Sequence, residues 1–280
     1  MECRPQDALR ISLMQLPVGA DKNENLQRVD DALTGLKPGV HMAVLPEMFC
    51  CPYEIQRFPQ YAEASADDPA RRFLAAAARK YGICLVGGSI PEQDGEALYN
   101  TSFIWSPEGT LWGRHRKLHR FDVDIPGTLT VQESQVVAAG SSGTIFQWGP
   151  WRIGVAICYD IRFPELIRAY ADAAVDVLLL PAVFNTTTGP AHWRDLLRMR
   201  AVDYQMYVVG VSPARSTEGS YRAYGHSLVA DPWGEIVVEA GTEPAVLTVE
   251  LQKARLRQIR RQLPLAAALR RPYTVEQQGP

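Results

Sequence analysis

The sequence predicts a layered α/β protein with a mixed β-sheet, folded as a single domain. Predicted strands and amphipathic helices alternate along much of the 280-residue chain, which is typical of layered α/β architectures. Pairs of short strands joined by tight turns interrupt this alternation and favour a mixed sheet over a Rossmann sheet. No linker or repeat divides the chain, so we predict one domain over residues 7–263 and an extended C-terminal arm over residues 264–280.

The N-terminal half is predicted to contain two helices set between strands. Leu26, Val29 and Leu33 recur at helical spacing and predict a helix over residues 23–36. A second helix, over residues 69–82, has a proline near its start and a glycine at its end. Stretches rich in β-branched residues predict strands over residues 8–16, 41–47, 83–90, 97–106 and 109–117. Residues 118–143 are predicted to form a loop.

The C-terminal half is predicted to begin with a hairpin whose turn is the WGP segment at residues 148–150. Helical spacing of apolar residues predicts helices over residues 163–173, 190–205 and 253–263. Strands are predicted over residues 175–182 and 206–212, followed by three antiparallel strands at residues 225–231, 236–240 and 245–252.

Composition excludes several classes of function. A net charge of −2 provides no broad basic surface, so we expect no nucleic-acid partner. The apolar runs are no longer than a strand, which excludes a membrane span. No Rossmann glycine motif or P-loop occurs. The cysteines form no CxxC pair and the N-terminus has no apolar signal-peptide core, so we expect free thiols and a cytoplasmic location.

Cys158 stands where an apolar strand ends, in the segment VAICYD at residues 155–160. A helix that begins near Pro164 follows. This strand–turn–helix arrangement is that of a nucleophile elbow, although the GxSxG motif is absent. Such a turn exposes its side chain and directs backbone N–H groups, here that of Tyr159, at one point. Taken alone, a strand-end cysteine is more simply explained as a small packing residue.

Glu47 and Lys117 are the candidate partners of this cysteine. Glu47 follows an apolar strand in VLPEMF, where burial would raise the pKa of its carboxyl and suit it to acid–base catalysis. Lys117 lies in a basic run that is otherwise typical of a solvated surface. His115 and His119 flank it at a spacing that could chelate a metal on a helix. The segment does not look helical and no third ligand follows, so we expect no metal.

The joint occurrence of these motifs decides the interpretation. PEMF, HRKLHRFDVDIPG, QES and ICYDIRFPE follow one another along nearly the whole chain. In this order they resemble the nitrilase superfamily of carbon–nitrogen hydrolases, whose catalytic triad is Glu, Lys and Cys. The resemblance implies a four-layer αββα sandwich, no cofactor, and a homodimer or higher homo-oligomer in which the helices after Cys158 and after the GPAH segment at residues 189–192 pack against their mates.

The resemblance also implies a role for each residue. Cys158 would be the nucleophile, Glu47 the general base, and Lys117, with the Tyr159 N–H, the support of the oxyanion. Glu133, in QES, matches the second glutamate that the family places near the lysine. An ammonium beside a thiol favours the thiolate, and we expect the carboxylates and the lysine to titrate as a coupled set.

The substrate class is predicted from sequence segments that resemble one group within the superfamily. FNTTTGPAHW and YGHSLVADPWGE, together with FDVDIP, look most like the omega-amidases, which act on 2-oxoglutaramate and 2-oxosuccinamate. Arg120 and Val131 depart from this pattern, which generally has Leu and Phe there. Sister amidases acting on deaminated glutathione share several of these segments and are the alternative. Candidate substrate-binding residues are Tyr53, Phe121, Arg162 and Thr187, for each of which packing is an equal explanation.

Two further classes are compatible with the fold. A silent scaffold would be expected to lose part of the triad, which is intact here. An N-acyltransferase would pass the acyl group to an amine, but members of that class are often fused to membrane spans. We therefore predict a small-molecule amide as the partner, with neither a nucleic acid nor a membrane.

Overall fold

Two mixed β-sheets pack face to face, and helices cover the outer side of each. The computed structural model describes residues 7–215, 221–271 and 274. Its strands are β1 Ala8–Gln15, β2 Met42–Val44, β3 Cys84–Val86, β4 Ile90–Asp94, β5 Ala97–Trp105, β6 Leu111–Arg116, β7 Asp122–Ile125, β8 Leu129–Gln132, β9 Thr144–Trp148, β10 Trp151–Val155, β11 Val177–Pro181, β12 Tyr207–Val211, β13 Leu228–Ala230, β14 Ile236–Glu239 and β15 Ala245–Gln252. Its helices are α1 Lys22–Thr34, α2 Phe58–Tyr61, α3 Pro69–Tyr81, α4 Pro164–Asp172, α5 Arg194–Tyr204, α6 Lys253–Gln262 and α7 Leu265–Ala268.

The first sheet has the strand order β15-β1-β2-β3-β5-β4, with β6 paired to β5. The second has the order β14-β13-β12-β11-β10-β9. Each sheet contains both parallel and antiparallel neighbours: β1, β2 and β3 are parallel in the first, and β10, β11 and β12 in the second. The predicted mixed sheet is therefore confirmed, and there are two of them.

The main core lies between the sheets. Alternate residues of β1 and β10 point into it and are fully buried, namely Leu9, Ile11, Leu13, Trp151, Ile153 and Val155. On the outer faces, α1 and α3 cover the first sheet, whereas α4 and α5 cover the second. Because both faces of the central strands are buried, these strands are nearly continuous apolar runs. The four-layer αββα sandwich is confirmed.

Three local predictions need correction. Residues 83–90 form two strands, because the chain turns sharply at Gly87 and Gly88. The region predicted as a loop contains the hairpin β7–β8, whose strands have four residues each and alternate exposed polar with half-buried apolar side chains. The three C-terminal strands are not one meander: β15 leaves β14 and pairs with β1 in the other sheet, from Ala8↔Gln252 to Gln15↔Ala245.

The C-terminal arm also departs from its prediction at its start. Leu265–Ala268 forms one short helix instead of extended chain. Residues 272–273 and 275–280 lie outside the described residues, so most of the arm stays a prediction. Among the helices that the structure describes, none combines the length and apolar character that crossing a membrane requires.

Gly88 controls the approach of β3 to the segment that carries Glu47. Its φ of +53° lies in the left-handed region, and a Cβ built on it would lie 2.0 Å from the Pro46 carbonyl oxygen. We therefore expect Gly88→Ala to lower the free energy of unfolding by at least about 2 kcal/mol, since backbone must shift as well as adopt a disfavoured conformation. Chemical denaturation measures this change.

Gly95→Ala is the matched control. Gly95 has a φ of +59°, and no atom lies within 4 Å of its added Cβ, so the substitution should cost only about 1 kcal/mol for the left-handed conformation. Equal losses in the two variants would show that the contact with Pro46 does not constrain the fold.

Candidate active site

Cys158 lies at a strained turn after β10. It begins a 3₁₀ turn, Cys158–Arg162, that leads into α4. Its φ is +46°, a conformation that costs a non-glycine residue about 1–2 kcal/mol. Backbone strain of this kind persists only where the surroundings hold it in place. The side chain is 6% exposed, so the strand end delivers a nearly buried thiol to the space beyond the sheet.

Asp160 holds this turn in place. Its carboxylate accepts hydrogen bonds from the Ile157 N–H at 3.0 Å and from the His119 N–H at 2.9 Å. The His119 ring Nδ1 lies 2.8 Å and the His115 Nε2 3.3 Å from the same carboxylate. Burial acts to raise the pKa of Asp160, but hydrogen bonds from His115, His119 and the Ile157 N–H outweigh it and lower the pKa to about 2. The turn therefore rests on a buried carboxylate that stays charged.

The two histidines thus serve the turn. Within residues 7–215, 221–271 and 274, no group of three or more His, Cys, Asp or Glu side chains is arranged to hold a metal ion.

Lys117 is fully buried between two carboxylates. It directly follows β6, and its Nζ lies 2.8 Å from Glu47 Oε1 and 2.9 Å from Glu133 Oε2. Tyr53 OH lies 3.5 Å from the same nitrogen. Glu47 follows β2 and Glu133 follows β8, so three strand ends meet at one ammonium. Removing one partner of a buried pair leaves an uncompensated charge, which costs about 3–5 kcal/mol.

Neutral N–H groups donate further hydrogen bonds to the carboxylates of Glu47 and Glu133. Asn100 Nδ2 donates to Glu47 Oε1 at 2.8 Å and to Glu133 Oε1 at 3.2 Å. The Val183 N–H donates to Glu47 Oε2 at 2.9 Å, and the Phe121 N–H donates to Glu133 Oε2 at 2.6 Å. Sequence reasoning missed Asn100, although a polar residue within the apolar strand β5 was the available signal.

The pKa values follow from burial and from these pairings. Burial raises the pKa of Glu47, against the lowering effect of the Lys117 charge. Burial acts to lower the pKa of Lys117, but the charges of Glu133 and Glu47 outweigh it and raise the pKa well above its ordinary value. Burial and the charge of Glu47 raise the pKa of Cys158 well above its ordinary value. The Lys117 ammonium acts to lower the pKa of Cys158, but burial and the charge of Glu47 outweigh it, which favours a neutral thiol beside a charged Lys117.

A cleft of about 200 Å³ opens over Cys158. Phe121, Tyr159 and Arg162 line it, as predicted for a site around the thiol. The predicted Thr187 is exposed instead, and its neighbour Thr188 lines the cleft. Sequence reasoning also missed three other lining residues, Val183, Phe184 and Tyr221. Phe184 is the first residue of the FNTTTGPAHW segment, whereas no motif marked Val183 and Tyr221, which lie on the loops after β11 and before β13.

Aromatic rings fix the walls of this cleft. The Tyr159 ring meets the Phe121 ring edge-on at 5.2 Å. The guanidinium of Arg162 lies 5.1 Å from the centre of the Phe184 ring and 5.7 Å from that of Tyr159. Its NH2 lies 3.2 Å from the His192 Nδ1. The cleft thus combines apolar walls with one cation, a pattern common in sites for small organic anions.

Tyr53 borders a second cavity, of about 490 Å³, which also reaches Glu47. Its ring lies 4.6 Å from the Tyr221 ring. The predicted residues are therefore brought together around one thiol, with Tyr53 on the far side of Tyr221 and Thr187 outside.

This combination defines the class of protein. An αββα sandwich whose strand ends assemble a cysteine, two glutamates and a lysine is the architecture of a carbon–nitrogen hydrolase. The carbon-nitrogen hydrolase family model matches residues 10–261. The chain belongs to this family, within the nitrilase superfamily, and it is an enzyme.

Curated relatives share this sequence over nearly its whole length. Omega-amidase NIT2 of Bos taurus is 44% identical over 269 residues, 95% of this chain and 97% of the relative. Omega-amidase NIT2 of Homo sapiens is 42% identical over 278 residues, 98% and 99% of the two chains. The resemblance to omega-amidases stated above is confirmed at this level.

Solved structures show the same fold. Saccharomyces cerevisiae Nit3, a nitrilase superfamily member, superposes with a TM-score of 0.83 at 39% identity, covering 93% of this chain and 96% of that one. A CN-hydrolase superfamily protein of Xanthomonas campestris, with an arsenic adduct in its active site, has a TM-score of 0.85 at 25% identity, covering 97% and 100%. A mutant of the Nesterenkonia sp. AN1 amidase shows Michael addition of acrylamide at its active-site cysteine; its TM-score is 0.74 at 26% identity, covering 92% and 99%.

Asp160→Asn tests the support of the Cys158 turn. An amide replaces one acceptor oxygen with a donor that faces N–H groups, so we expect a loss of about 2–4 kcal/mol in the free energy of unfolding near neutral pH. The folded pKa of about 2 lies below the ordinary 3.8. The stabilisation is therefore complete above pH 3.8 and is lost as the pH falls toward 2.

Denaturation at several pH values measures the difference between wild type and variant. That difference should shrink on acidification, whereas the exposed Asp67→Asn control should change little at any pH. A loss that is independent of pH down to 2 would contradict the proposed charge of Asp160.

Proposed function

We propose that this protein hydrolyses the terminal amide of small dicarboxylate monoamides, 2-oxoglutaramate and 2-oxosuccinamate, to the acid and ammonia through a thioester on Cys158. The observation that carries the proposal is the buried contact of three groups. Glu47 interacts with the Cys158 thiol, whose pKa its charge raises, and it lies 2.8 Å from the Lys117 ammonium. The names of the curated relatives support the choice of substrate.

Glu47 is the general base in this proposal. Since the resting sulfur carries its proton, attack on the amide carbon requires a base in contact with the thiol. A carboxylate whose pKa is raised by burial is a stronger base than an ordinary one. Glu47 takes the thiol proton as the sulfur–carbon bond forms, and it returns that proton to the departing nitrogen.

Lys117 and Tyr159 stabilise the oxyanion. Two hydrogens of the ammonium are directed at Glu47 and Glu133, while its third direction faces Tyr53 OH only at 3.5 Å. This contact is the longest of the three, so it is the one that a substrate oxygen held over Cys158 would displace. The first N–H groups of a helical turn lack partners within the turn, and Tyr159 occupies that position after Cys158. Each such donor contributes about 3–4 kcal/mol to the stability of the transition state.

The second half-reaction reverses these roles. Once ammonia has left, a water held by Glu47 attacks the thioester carbon and gives up a proton to Glu47. The carbon–sulfur bond then breaks and the sulfur regains a proton from Glu47. Glu133 contacts Lys117 and the Phe121 N–H, so we assign it the role of keeping Lys117 charged and in place. No cofactor takes part.

The cleft supports a small anionic substrate. It is narrow and closely lined by the aromatic rings of Phe121, Tyr159 and Phe184, which favours a short oxo-acid amide over deaminated glutathione. Arg162 is the cation in this cleft, and we assign it contact with the substrate carboxylate. Phe121 forms the apolar wall. Thr188 takes the position that was expected for Thr187.

The resemblance further supports a homodimer in which α4 and α5 pack against their mates. The scattered free cysteines support a cytoplasmic location.

Cys158→Ala should abolish ammonia release, and Glu47→Gln should lower kcat/KM by about 10²–10⁴-fold, the contribution of a positioned base. Ammonia is assayed with 2-oxoglutaramate, 2-oxosuccinamate, deaminated glutathione and a simple nitrile. We expect the two oxo-acid amides to have the highest kcat/KM.

Cys84→Ala is the control, because Cys84 is a buried free cysteine within β3 and should leave kcat unchanged. Ammonia release that survives in Cys158→Ala would contradict the mechanism. A preference for deaminated glutathione would contradict the substrate assignment, and inactivity on the whole panel would favour a silent scaffold.

The pH dependence of kcat/KM should show an acid limb set mainly by Glu47. Since the pKa of Glu47 is raised above its ordinary 4.5, the base is protonated, and the rate falls, already at a pH above 4.5. The limb belongs to the coupled set of Glu47, Lys117 and Glu133. Initial rates from pH 4 to 9 locate its midpoint, and a rate that stays flat down to pH 4.5 would refute the assignment.

A further inference from the structure

Two separate cavities reach the reacting groups. The cleft over Cys158 has a volume of about 200 Å³, whereas the cavity beside Glu47 has about 490 Å³. Val183 and Tyr221 line both. The thiol lines the cleft and its base lines the cavity, so the two groups face different spaces on the two sides of a common wall.

Hydrogen bonds hold this wall. Tyr221 OH donates to the Val183 carbonyl oxygen at 2.8 Å, and the Val183 N–H donates to Glu47 Oε2 at 2.9 Å. The Tyr221 ring packs against that of Tyr53 at 4.6 Å. Val183 thus accepts a hydrogen bond from the wall through its carbonyl and donates one to the base through its N–H, which ties the position of Glu47 to the wall of the larger cavity.

The larger cavity runs from a partly exposed rim to a fully buried end. Val18, Pro52 and Glu54 at the rim are half-buried, whereas Glu47 at the inner end is completely buried. Apolar side chains such as Met48 and Ala223 form the walls between them. None of the described residues that line the cavity is a lysine or arginine that could bind the substrate carboxylate, and the polar inner end suits small neutral molecules.

The two half-reactions need such a second route. In the thioester, the acyl group fills the small cleft over Cys158, yet ammonia must leave and water must reach Glu47. A water that enters from the Glu47 side meets the base first and approaches the thioester carbon without displacing the acyl group.

We propose that the larger cavity is the passage through which water reaches Glu47 and ammonia departs, while the dicarboxylate monoamide binds only in the cleft over Cys158. This assignment rests on the proposed function, since it presupposes the thioester on Cys158. In acylation the sulfur–carbon bond forms as the carbon–nitrogen bond breaks, and ammonia carries away the thiol proton. In deacylation one water supplies the oxygen of the acid and restores the thiol proton through Glu47.

Val18→Phe tests the passage by filling its rim. The enzyme is mixed with 2-oxoglutaramate and quenched at intervals, and intact-protein mass spectrometry follows the thioester while ammonia is assayed in parallel. Acylation and KM should stay within about twofold of wild type, because the cleft is untouched. Deacylation should fall by about tenfold or more, so that the thioester accumulates to a higher fraction.

Ala223→Leu narrows the passage further in and should act in the same way. Val237→Phe adds the same volume as Val18→Phe at a 47% exposed position of β14, and it should leave both steps unchanged. Thermal unfolding of each variant confirms that it is folded.

Three outcomes overturn the passage: deacylation that is unchanged in both variants, acylation and deacylation that fall together, or a raised KM, which would show that the substrate itself occupies the larger cavity. If no thioester forms on Cys158 even in the wild type, the proposed function fails and the passage fails with it. That result is distinct, because it appears without any substitution.

Discussion

A buried ammonium is the constraint on which the rest of this structure depends. Lys117 is fully enclosed, so its charge must be matched by charges that are equally buried. Glu47 and Glu133 supply them at 2.8 and 2.9 Å, and each carboxylate takes further hydrogen bonds from Asn100. If the ends of β2, β6 and β8 separated, one of these charged groups would be left without its partner in an apolar interior. The same ion pairs hold the residues of the candidate active site together.

A second buried charge ties the two sheets together. His115 and His119 both reach the Asp160 carboxylate, and between them Lys117 reaches Glu47. The segment from residue 115 to residue 119 therefore links the first sheet to the turn that carries Cys158 in the second. The strain of Cys158, with a φ of +46°, persists because both charged centres fix the chain around it. The relative position of the Cys158 thiol and the Glu47 carboxylate therefore depends on contacts between the two sheets.

The layers could be predicted from sequence because apolar periodicity marks buried strands, and Glu47 and Cys158 because they stand where such strands end. Lys117 follows the largely exposed β6, so only the joint occurrence of the motifs singled it out. The hairpin β7–β8 was missed, since its strands have only four residues each and their apolar side chains are only half-buried. Asn100, Val183 and Tyr221 belong to no motif, and only their placement in space joins them to the site. The charge of Lys117 favours a thiolate at Cys158, whereas burial and the charge of Glu47 favour the thiol, and only the placement of these groups in space decides between them. Thr187 and Thr188 are adjacent threonines, and only the conformation of the loop decides that Thr188 lines the cleft while Thr187 is exposed.

The central claim is a charge distribution: an ammonium at Lys117 beside a neutral thiol at Cys158, with Glu47 between them. Neutron diffraction from crystals exchanged into D₂O at neutral pH locates these protons directly. The account predicts three deuterons on Lys117 Nζ and one on Cys158 Sγ. A neutral Lys117 amine with two deuterons, next to a bare sulfur, would contradict it, because the buried carboxylates would then have no cation to hold them and the thiol would need no base.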